Sequence, residues 1–307
     1  MRALIVTNMY PTRATPALGS FVRDQVDALR RMPGVEIELF SFAGGGPRAY
    51  QRAAAQLRRQ YRSDRFDLVH AHFGLTAWPA MAVTARARAV TLHGNDLAHP
   101  RSRIITLAAL RLVDLPAVVS DSLAREVPPW AHRADLAVLP CGVDMGRFRA
   151  IPRPQARTKL GLGPEGPYLL FASDPRRPEK RHDRAQALAG DVPLLTLGNV
   201  DPLEVPLWVN AANAVLVPSE REGFGLAVLE ALACDVPVLA TPVGIAPVVL
   251  EGLEGAYCGR FDLASWRKAI APHLGSPDPR LAGRERAEQF SSDKMAARVL
   301  AAWRDLR

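Results

Sequence analysis

Short apolar runs alternate with amphipathic segments along the whole chain. The runs have lengths typical of buried strands, and the segments between them repeat apolar residues at helical spacing. In the first half the pattern predicts strands at Ala3–Thr7, Val35–Phe42, Phe66–Ala71, Ala89–Leu92, Ala117–Ser120 and Ala137–Leu139. It predicts helices at Phe21–Arg31 and Gly74–Arg86. Strands that alternate with helices of this length indicate parallel sheets with right-handed crossovers.

Between Arg147 and Pro167 the pattern lapses into Pro- and Gly-rich sequence, which we interpret as an interdomain linker. The alternation then resumes, with strands predicted at Tyr168–Ala172, Leu194–Leu197, Ala214–Val217 and Val236–Ala240. Helices are predicted at Lys180–Leu188, Leu203–Val209, Ser265–Leu274 and Arg280–Arg307, the last of them broken near Ser291-Ser292. We therefore expect an α/β protein with two Rossmann-like, doubly wound domains, at 1–150 and 151–285. A C-terminal helix at 286–307 is expected to pack back on the first domain.

Length and composition agree with a globular protein of two domains. The chain has 307 residues, of which 48% are hydrophobic and 23% charged, and a typical domain has about 150 residues. No apolar run is long enough for a transmembrane helix, and the first one is too short for a signal peptide. Cys141, Cys234 and Cys258 are scattered, which favours reduced thiols over a disulfide or zinc framework. These features predict a cytoplasmic protein.

The net charge of +8 belongs entirely to the first half of the chain. Residues 1–150 hold 20 Arg against 12 Asp and Glu, whereas residues 151–307 are balanced. The asymmetry favours an anionic partner for the first half, such as an acidic saccharide, a phosphorylated lipid or a membrane surface. No motif for nucleic-acid recognition accompanies the charge. An Arg- and Ala-rich coding bias would produce the same excess.

The stretch from Pro218 to Gly244 carries the strongest chemical signal. It reads PSEREGFGLAVLEALACDVPVLATPVG, with Glu222 in a glycine-punctuated turn and Glu230 in the helix that follows. Helical spacing places Glu230 on the same stripe as Leu226, so we expect its carboxylate to face inward. A carboxylate in that position is costly unless it has a hydrogen-bonding partner. This cost favours a binding role.

Polar residues that follow the predicted strands are the other candidates for a site. Ligands of such sheets bind beyond the carboxyl ends of the strands. The first strand is followed by Asn8-Met9-Tyr10-Pro11 and not by a G-x-G-x-x-G fingerprint, which argues against an NAD-dependent enzyme. The residues in this position include Gly19, His70, His72, His93, Asp96, Lys180, Gly198 and Glu222.

Glu222-x7-Glu230, in its setting, resembles the signature of the retaining GT-B glycosyltransferases of family 4. Further motifs match in the order of that family. They are Tyr10-Pro11 with Gly19-Ser20-Phe21-Val22, His70-Ala71-His72-Phe73, His93-Gly94-Asn95-Asp96, Pro140-Cys141-Gly142-Val143-Asp144 and Arg177-Pro178-Glu179-Lys180. The resemblance implies a GT-B fold, in which two Rossmann-like domains face each other across a cleft. It implies a metal-independent transferase of the EC 2.4 class with no cofactor, and no Asp-x-Asp metal motif is present.

By this resemblance, His93 and Glu222 are catalytic: His93 lies over the reacting sugar, and Glu222 contacts its hydroxyl groups. Lys180 can neutralise the leaving diphosphate as a point charge, and Arg176 or Arg177 as a fork. Backbone N–H groups at a helix N-terminus can bind phosphate oxygens. The residues predicted to bind the donor are Gly19, Arg176, Arg177, Lys180, Gly198, Gly223, Phe224, Gly225, Leu226 and Glu230. Asp96 and His72 are predicted on the acceptor side, and no metal ligand is predicted.

The function implied is transfer of a sugar from a nucleotide-sugar donor to an anionic, lipid-linked or polysaccharide acceptor in bacterial cell-envelope synthesis. Two departures from the family keep alternatives open: Ser173-Asp174 replaces a frequent Gly-Arg, and Ile245 replaces a second glycine. The alternatives are a nucleotide-sugar epimerase and a non-catalytic nucleotide-sugar-binding protein.

Two further segments carry a local signal. Arg48–Arg65 is a basic segment with apolar residues at helical spacing. It predicts either a solvated helix that packs one face or a helix that docks on an anionic membrane, at the inner face of which the protein would be peripheral. His70 and His72 are expected on alternate faces of a strand, so a metal shared between them is not expected.

Overall fold

The computed structural model describes residues 1–198 and 200–306. The strands are β1 (Arg2–Thr7), β2 (Glu36–Ser41), β3 (Phe66–His72), β4 (Ala85–Leu92), β5 (Leu115–Val118), β6 (Ala137–Val138), β7 (Leu169–Phe171), β8 (Leu194–Thr196), β9 (Ala214–Val217), β10 (Val238–Ala240) and β11 (Tyr257–Cys258). The helices are α1 (Ser20–Arg30), α2 (Pro47–Gln60), α3 (Ala77–Ala80), α4 (Asn95–Ala98), α5 (Pro100–Leu110), α6 (Asp121–Ala124), α7 (Arg153–Leu160), α8 (His182–Ala189), α9 (Val205–Ala211), α10 (Leu226–Ala233), α11 (Ala246–Val249), α12 (Leu263–Leu274), α13 (Arg284–Glu288) and α14 (Ser292–Arg304). Arg307, the end of the last predicted helix, lies outside the described residues.

The chain folds into two compact units. Unit 1 comprises Met1–Gly142 and Ser292–Arg307, and unit 2 comprises Val143–Ser291. The sheet of unit 1 has the strand order β2-β1-β3-β4-β5-β6, and that of unit 2 has the order β11-β10-β9-β7-β8. The pairs within both sheets are parallel. The prediction of two parallel α/β halves is confirmed.

Each sheet has one point at which the direction of strand addition reverses. In unit 1 the chain runs from β1 outward to β2 and returns to β3 on the other side of β1. In unit 2 it runs from β7 to β8 and returns to β9 on the other side of β7. The connections leave such a pair of strands in opposite directions, which opens a crevice at their carboxyl ends. The expected ligand positions are therefore beyond β1 and β3 in unit 1, and beyond β7 and β9 in unit 2.

The core of unit 1 draws on both ends of its sequence. Residues Ala3–Val6 of β1 have no exposed surface, as is typical of a parallel strand covered on both faces. Helix α14 packs against α1 and contributes Met295, Val299 and Trp303 to the same apolar cluster as Ile5. Trp303 is 1% exposed. Unit 1 is therefore completed by a segment that follows unit 2 in the sequence.

The helix predicted over Gly74–Arg86 is wrong in its second half. A single 3-10 turn and the short helix α3 occupy residues 74–80, and β4 already begins at Ala85. Ala85 pairs with Phe66, the first residue of β3. Ladder hydrogen bonds along the full length of β3 outweigh the helical preference of Ala and Arg, which amounts to only a few tenths of a kcal/mol per residue.

The predicted linker is also structured. Helix α7 lies inside it, and Arg153 and Arg157 are buried at 1% and 3% exposure. The Arg153 guanidinium donates to the carbonyl oxygens of Ala212, Pro277 and Pro279. Buried carbonyl groups need such donors, because desolvation without a partner is costly. These bonds make the segment an integral part of unit 2, despite its Pro- and Gly-rich composition.

Helices α4 and α5 lie where the hydrophobic pattern predicts no element. The residues on one face of α5, including Leu107 and Leu110, are buried, yet Ile104 and Ile105 on the other face are exposed. A helix that is apolar on both faces has no amphipathic period for a pattern search to detect. Pro100 at its first turn was the available signal, since proline favours that position.

Candidate functional site

Gly19 holds the loop after β1 close to the start of α1. It caps α1 with a φ of 66°, a left-handed conformation that favours glycine. A Cβ atom at this position would lie 2.2 Å from the carbonyl oxygen of Met9. A side chain here would therefore push the two ends of the loop apart. The predicted role of Gly19 in donor binding stays a prediction, and the structure shows the close backbone approach that it needs.

Asp96 joins the turns that follow β3 and β4. It is fully buried, and one carboxylate oxygen accepts the N–H of Gly74 at 2.6 Å. The other accepts the N–H of His93 at 2.6 Å. Burial raises the pKa of Asp96 to about 6, although the backbone donors oppose the shift. Because its oxygens have no exposed surface, Asp96 orients His93 and is not itself available to an acceptor in this conformation.

A chain of hydrogen bonds runs from α1 through β3 to His93. The Gln25 amide nitrogen lies 3.4 Å from Nε2 of His72, and Nδ1 of His72 lies 3.0 Å from Nε2 of His93. An amide nitrogen can only donate, so Nε2 of His72 accepts and Nδ1 of His72 carries the proton. His93 then accepts at Nε2 and carries its own proton at Nδ1. The half-buried His93 ring, 4.7 Å from that of Phe21, is thereby fixed as a hydrogen-bond donor.

His70 lies next to His72, on the side away from His93. The prediction that His70 and His72 lie on alternate faces of the strand is wrong. Residues i and i+2 of a strand share a face, and the rings of His70 and His72 are stacked with centroids 4.7 Å apart. Trp303 donates its indole N–H to Nδ1 of His70 at 3.1 Å. His70 therefore carries its proton at Nε2, which lies 2.8 Å from Oγ1 of Thr91.

Burial keeps all three histidines neutral. It lowers the pKa of His72 to about 4. It also holds the pKa values of His70 and His93 well below the ordinary value for histidine, with the neighbouring histidines adding to the effect. His93 is thus a neutral donor at physiological pH and not an imidazolium.

We expect the stability of unit 1 to fall as the pH is lowered from 6.5 to 4.5. In this range the unfolded chain binds protons at His70, His72 and His93, whereas the folded chain does not, so acid favours unfolding. Asp96 acts in the opposite direction, because its raised pKa lets the folded state bind a proton first. About two net protons correspond to a slope of roughly 2–3 kcal/mol per pH unit. Urea unfolding at each pH, with pulsed hydrogen exchange in peptides of β1 and β3, measures it.

His72 and His99 offer a matched pair for this experiment. His72→Leu removes one histidine that the folded state keeps neutral, so the pH slope should flatten by about one proton. His99→Gln alters an exposed histidine and should leave the slope unchanged. Equal slopes in wild type and His72→Leu would contradict the assignment of a lowered pKa to this cluster.

In unit 2, Lys180 and Glu222 form a largely buried ion pair. Their Nζ and Oε2 atoms are 2.6 Å apart, and the side chains are 13% and 10% exposed. Ser219 donates its hydroxyl to the other Glu222 oxygen at 2.8 Å. Ser219 follows β9, so the cluster lies at the carboxyl end of a strand at the reversal point of this sheet. A cation and a carboxylate are thus held together, as recognition of a diphosphate and of sugar hydroxyl groups requires.

The arginines predicted to bind the donor are both paired with carboxylates. Arg176 forms a bidentate pair with Asp174, with a shortest distance of 2.8 Å, and Arg177 pairs with Glu179 at 2.6 Å. The Arg176 guanidinium lowers the pKa of Asp174 by hydrogen bonding. Its side chain is 77% exposed, so the pair is screened by water and is weak. The Asp174 charge is thus neutralised locally.

Gly198 belongs to an open pocket beside this pair. The pocket has a volume of about 420 Å³ and is lined by Asp174, Pro175, Arg176, Thr196, Gly198 and Val200. A Cβ atom at position 198 would lie 3.3 Å from Cδ of Pro175 and 3.4 Å from Oδ1 of Asp174. Glycine therefore keeps the pocket open at the carboxyl ends of β7 and β8.

The Glu222–Leu226 turn is closed by glycines and by Ile245. Gly225 caps α10 with a φ of 92°. A Cβ atom on Gly244 would lie 2.3 Å from the carbonyl oxygen of Phe224, which accepts the N–H of Ile245 at 2.7 Å. Ile245 therefore supports the turn, although it departs from the family pattern. Phe224 is 5% exposed, and its ring packs against that of Phe290. It therefore anchors the turn in unit 2, and its role in donor binding stays a prediction.

Glu230 lies at the edge of the core and does not face fully inward. The core face of α10 is formed by Val228, Leu229, Ala231, Leu232 and Ala233. Glu230 shares the half-buried face with Leu226, one helical turn before it. The expected helical stripe is therefore present but is turned toward the surface, so Glu230 is only partly buried.

The predicted site residues form two groups, one in each unit. Gly19, His72, His93 and Asp96 lie at the carboxyl edge of the sheet in unit 1. The group in unit 2 comprises Arg176, Arg177, Lys180, Gly198, Glu222, Gly223, Phe224, Gly225, Leu226 and Glu230. His72 and Asp96 both form hydrogen bonds with His93. Both are fully buried, so neither exposes an atom to an acceptor. Their predicted place on the acceptor side remains a prediction.

Sequence patterns missed two residues that hold the catalytic candidates in place. Ser219 bonds Glu222, and a serine directly after an apolar strand, three residues before a carboxylate, was an available signal. Gln25 bonds His72 from α1, and no sequence signal links these two positions, because 47 residues separate them.

Positions 1–198 and 200–306 contain no group of three or more His, Cys, Asp or Glu side chains arranged to hold a metal ion. Over the same positions, no helix has the length and apolar character needed to cross a bilayer.

Comparisons with known proteins identify both halves of the chain. The model of Glycosyltransferase Family 4 matches residues 5–147. The model of Glycosyl transferases group 1 matches residues 164–275. A D-inositol 3-phosphate glycosyltransferase of Actinosynnema mirum is 28% identical over 324 aligned positions, which cover 84% of this chain and 77% of that protein.

Solved structures agree on the fold. Sucrose-phosphate synthase from Thermosynechococcus elongatus superposes with a TM-score of 0.77 at 19% identity, over 100% of this chain and 99% of that one. Anabaena HepE in complex with UDP and glucose gives a TM-score of 0.72 at 15% identity, over 99% and 100% of the two chains. With a family model on each half, the chain belongs to the group 1, family 4 glycosyltransferases and has their GT-B fold.

Proposed function

We propose that the chain transfers a hexosyl residue from a nucleoside diphosphate sugar to an anionic acceptor, with retention of anomeric configuration. The observation that carries the proposal is the Lys180–Glu222–Ser219 cluster at the reversal point of the sheet in unit 2. The complex of HepE with UDP and glucose supports a uridine diphosphate sugar as the donor.

In this proposal the cluster exchanges partners when the donor binds. The Lys180 ammonium moves its interaction from Glu222 to the diphosphate, whose charge grows as the bond to the sugar breaks. Glu222 is then free to accept hydrogen bonds from sugar hydroxyl groups, while Ser219 holds its other oxygen. N–H groups of the turn at the start of α10 add donors for phosphate oxygens. Glu230 is proposed to hold the ribose.

The reaction forms one bond and breaks one bond at the anomeric carbon. The bond from that carbon to the phosphate oxygen breaks, and the electron pair leaves with the nucleoside diphosphate. The acceptor hydroxyl oxygen forms the new bond on the same face, and its proton goes to the leaving phosphate oxygen. His93, a neutral donor at Nδ1, is proposed to donate to a hydroxyl group of the transferred sugar. Retention follows because departure and attack take place on one face.

The acceptor class rests on charge and on one relative. Unit 1 lies almost wholly in residues 1–150, which carry the entire net charge of +8. The Actinosynnema relative is named for D-inositol 3-phosphate, an anionic polyol. We therefore propose a phosphorylated polyol or saccharide as the acceptor. The lipid-linked and polysaccharide acceptors of cell-envelope synthesis, predicted from sequence, form the second class to be tested.

We expect slow hydrolysis of one nucleotide sugar when the protein is incubated with a panel of UDP-, GDP- and ADP-sugars. The rate should rise at least tenfold when the right acceptor is added, because water is a poorly positioned substitute for it. Chromatography of the released nucleotide measures the rate, and NMR of the product gives the anomeric configuration. Panels of phosphorylated polyols and of lipid-linked saccharides compare the acceptor classes.

Three outcomes would contradict the proposal. An epimerised donor without transfer would identify an epimerase, and tight nucleotide binding without turnover would identify a binding protein. An inverted product would refute retention. Lys180→Met is the matched loss-of-function control, and Lys159→Met, on an exposed lysine of α7, should leave the rate unchanged.

A further inference from the structure

Five of the eight large hydrophobic side chains that are exposed in the described part of the chain lie around helix α5. They are Trp78, Ile104, Ile105, Leu112 and Trp130, exposed by 41%, 70%, 45%, 53% and 62%. We call these residues the α5 surface. Single exposed apolar residues are ordinary, but a cluster of this kind marks an interaction site.

Hydrogen bonds join the segments of Trp78 and Trp130 to α5. Trp78 donates its indole N–H to the carbonyl oxygen of Ile105 at 3.2 Å, and the Arg111 guanidinium donates to the carbonyl oxygen of Trp130. Ile104, Ile105 and Leu112 lie on one side of the helix and of the residues just after it, at spacings of one, seven and eight positions. The opposite side of α5 is buried in unit 1. The helix thus offers a second apolar face that its own unit does not cover.

The charged side chains of α5 and of the residue just after it are all arginines. Arg101, Arg103 and Arg111 lie between Asp96 and Asp114, and no acidic residue occurs in that interval. Arg101 and Arg111 are exposed. Apolar side chains with tryptophans, bordered by arginines, have the composition of surfaces that enter the boundary between lipid headgroups and acyl chains.

Helix α2 lies in the basic segment Arg48–Arg65, for which the sequence predicts either a solvated helix or a membrane-docking helix. It has no exposed large apolar side chain. Its apolar residues Ala53 and Leu57 are buried at 1% and 0% exposure, and Tyr61 just after it is 6% exposed. Its exposed face consists of arginine, glutamine and alanine. The structure thus favours the solvated alternative for Arg48–Arg65, and α2 becomes a natural control.

We propose that the α5 surface docks on an anionic lipid bilayer, with Ile104, Leu112 and Trp130 inserted and the flanking arginines against the headgroups. Charge complementarity favours this partner: the charged side chains on α5 are arginines, and unit 1 lies almost wholly in the half of the chain that carries the net charge of +8. Asp114 and Glu126 are the acidic residues beside the surface in sequence. Docking does not depend on the proposed transfer reaction, and it is measured without any substrate.

The experiment is co-sedimentation of the full chain with vesicles. Wild type should bind vesicles of equal phosphatidylglycerol and phosphatidylcholine, and bind vesicles of phosphatidylcholine alone at least tenfold more weakly. Ile104→Ser with Leu112→Ser should lower the partition coefficient at least tenfold, because two inserted apolar side chains are lost. Leu203→Ser with Val248→Ser is the matched control: these side chains of unit 2 are 65% and 58% exposed and should not affect binding.

Two further measurements test the charge and the contact. Arg101→Gln should weaken binding to the anionic vesicles about fivefold, whereas Arg58→Gln on α2 should change it less than twofold. Brominated lipids should quench wild-type fluorescence, and Trp130→Phe should remove most of that quenching.

Each of the following results would overturn the proposal. The first is a failure of wild type to bind anionic vesicles. The second is binding of the Ile104/Leu112 variant as strong as that of wild type. The third is equal binding of wild type to both vesicle types. Concentration-dependent self-association that the same two substitutions abolish, seen by sedimentation velocity, would show that a second copy of the chain covers the surface instead.

Discussion

Replacement of His93 with alanine should lower kcat about 100-fold and change donor affinity less than threefold. The structure presents His93 as a neutral ring whose proton is held at Nδ1 by the bond from His72. A donor fixed in this way needs no reorganisation as charge develops, and removal of one such donor typically costs a factor of about 10²–10³ in rate. Steady-state kinetics with the donor found in the panel, together with calorimetric titration of the nucleotide, measure the two effects separately.

His99→Ala is the control for this experiment. It removes an exposed imidazole six positions away, so kcat should stay within twofold of wild type. If His93→Ala raised the dissociation constant of the nucleotide by the same factor as it lowered kcat/KM, His93 would be a binding residue and its proposed role in the transfer step would be wrong.

Replacement of Glu222 with alanine should lower kcat/KM for the nucleotide sugar about 10³-fold and yet leave binding of the free nucleotide as strong or stronger. In the free protein the Glu222 carboxylate lies 2.6 Å from the Lys180 ammonium. Its removal releases the cation to bind diphosphate, while the sugar loses the acceptor for its hydroxyl groups. Calorimetry with UDP and kinetics with the sugar nucleotide should therefore change in opposite directions.

Glu220→Ala is the matched control, because Glu220 is a more exposed carboxylate two positions away that pairs with Arg181 and Arg184. It should alter neither quantity by more than twofold, as expected of a pair in solvent. Parallel losses of UDP binding and turnover in Glu222→Ala would refute the exchange of partners and would indicate that Glu222 merely supports the fold of the turn.

The sequence predicted correctly those elements whose secondary structure follows from their own apolar pattern. The strand at Ala214–Val217 has its predicted bounds, and the Pro218–Gly244 stretch forms the expected loop, helix α10 and strand β10. These segments are short, most of their apolar residues are buried, and glycine or proline lies near their ends, so local pattern and tertiary environment agree.

The predictions failed where distant residues decide the outcome. The last two residues of Gly74–Arg86 already belong to strand β4, because β3 offers that strand a pairing partner. The predicted linker becomes helix α7 because Arg153 finds carbonyl oxygens some 60 to 126 positions away in the sequence. Proline and glycine content indicates only the local conformational preference of the backbone. It carries no information about hydrogen-bond partners that are distant in the sequence.

Within the candidate site, motifs identified which residues matter but not how they are held. Family resemblance selected His93, Glu222 and Lys180. The proton positions on His72 and His93 depend on Gln25 in another element, and so could be obtained only from three-dimensional contacts. The direction of the Glu230 side chain depends on the rotation of α10 about its own axis relative to the sheet. Residue spacing alone does not determine that rotation to better than a fraction of a turn.

The placement of α14 in unit 1 has a consequence for synthesis of the protein. A ribosome completes residues 1–142 first, and an N-terminal domain ordinarily folds as soon as it emerges. Here the apolar cluster of unit 1 lacks Met295, Val299 and Trp303 until the whole of unit 2 has been translated. Trp303 also bonds His70, whose ring stacks on His72. The histidine cluster of unit 1 therefore gains its indole donor only after unit 2 and the segment up to α14 have been synthesised.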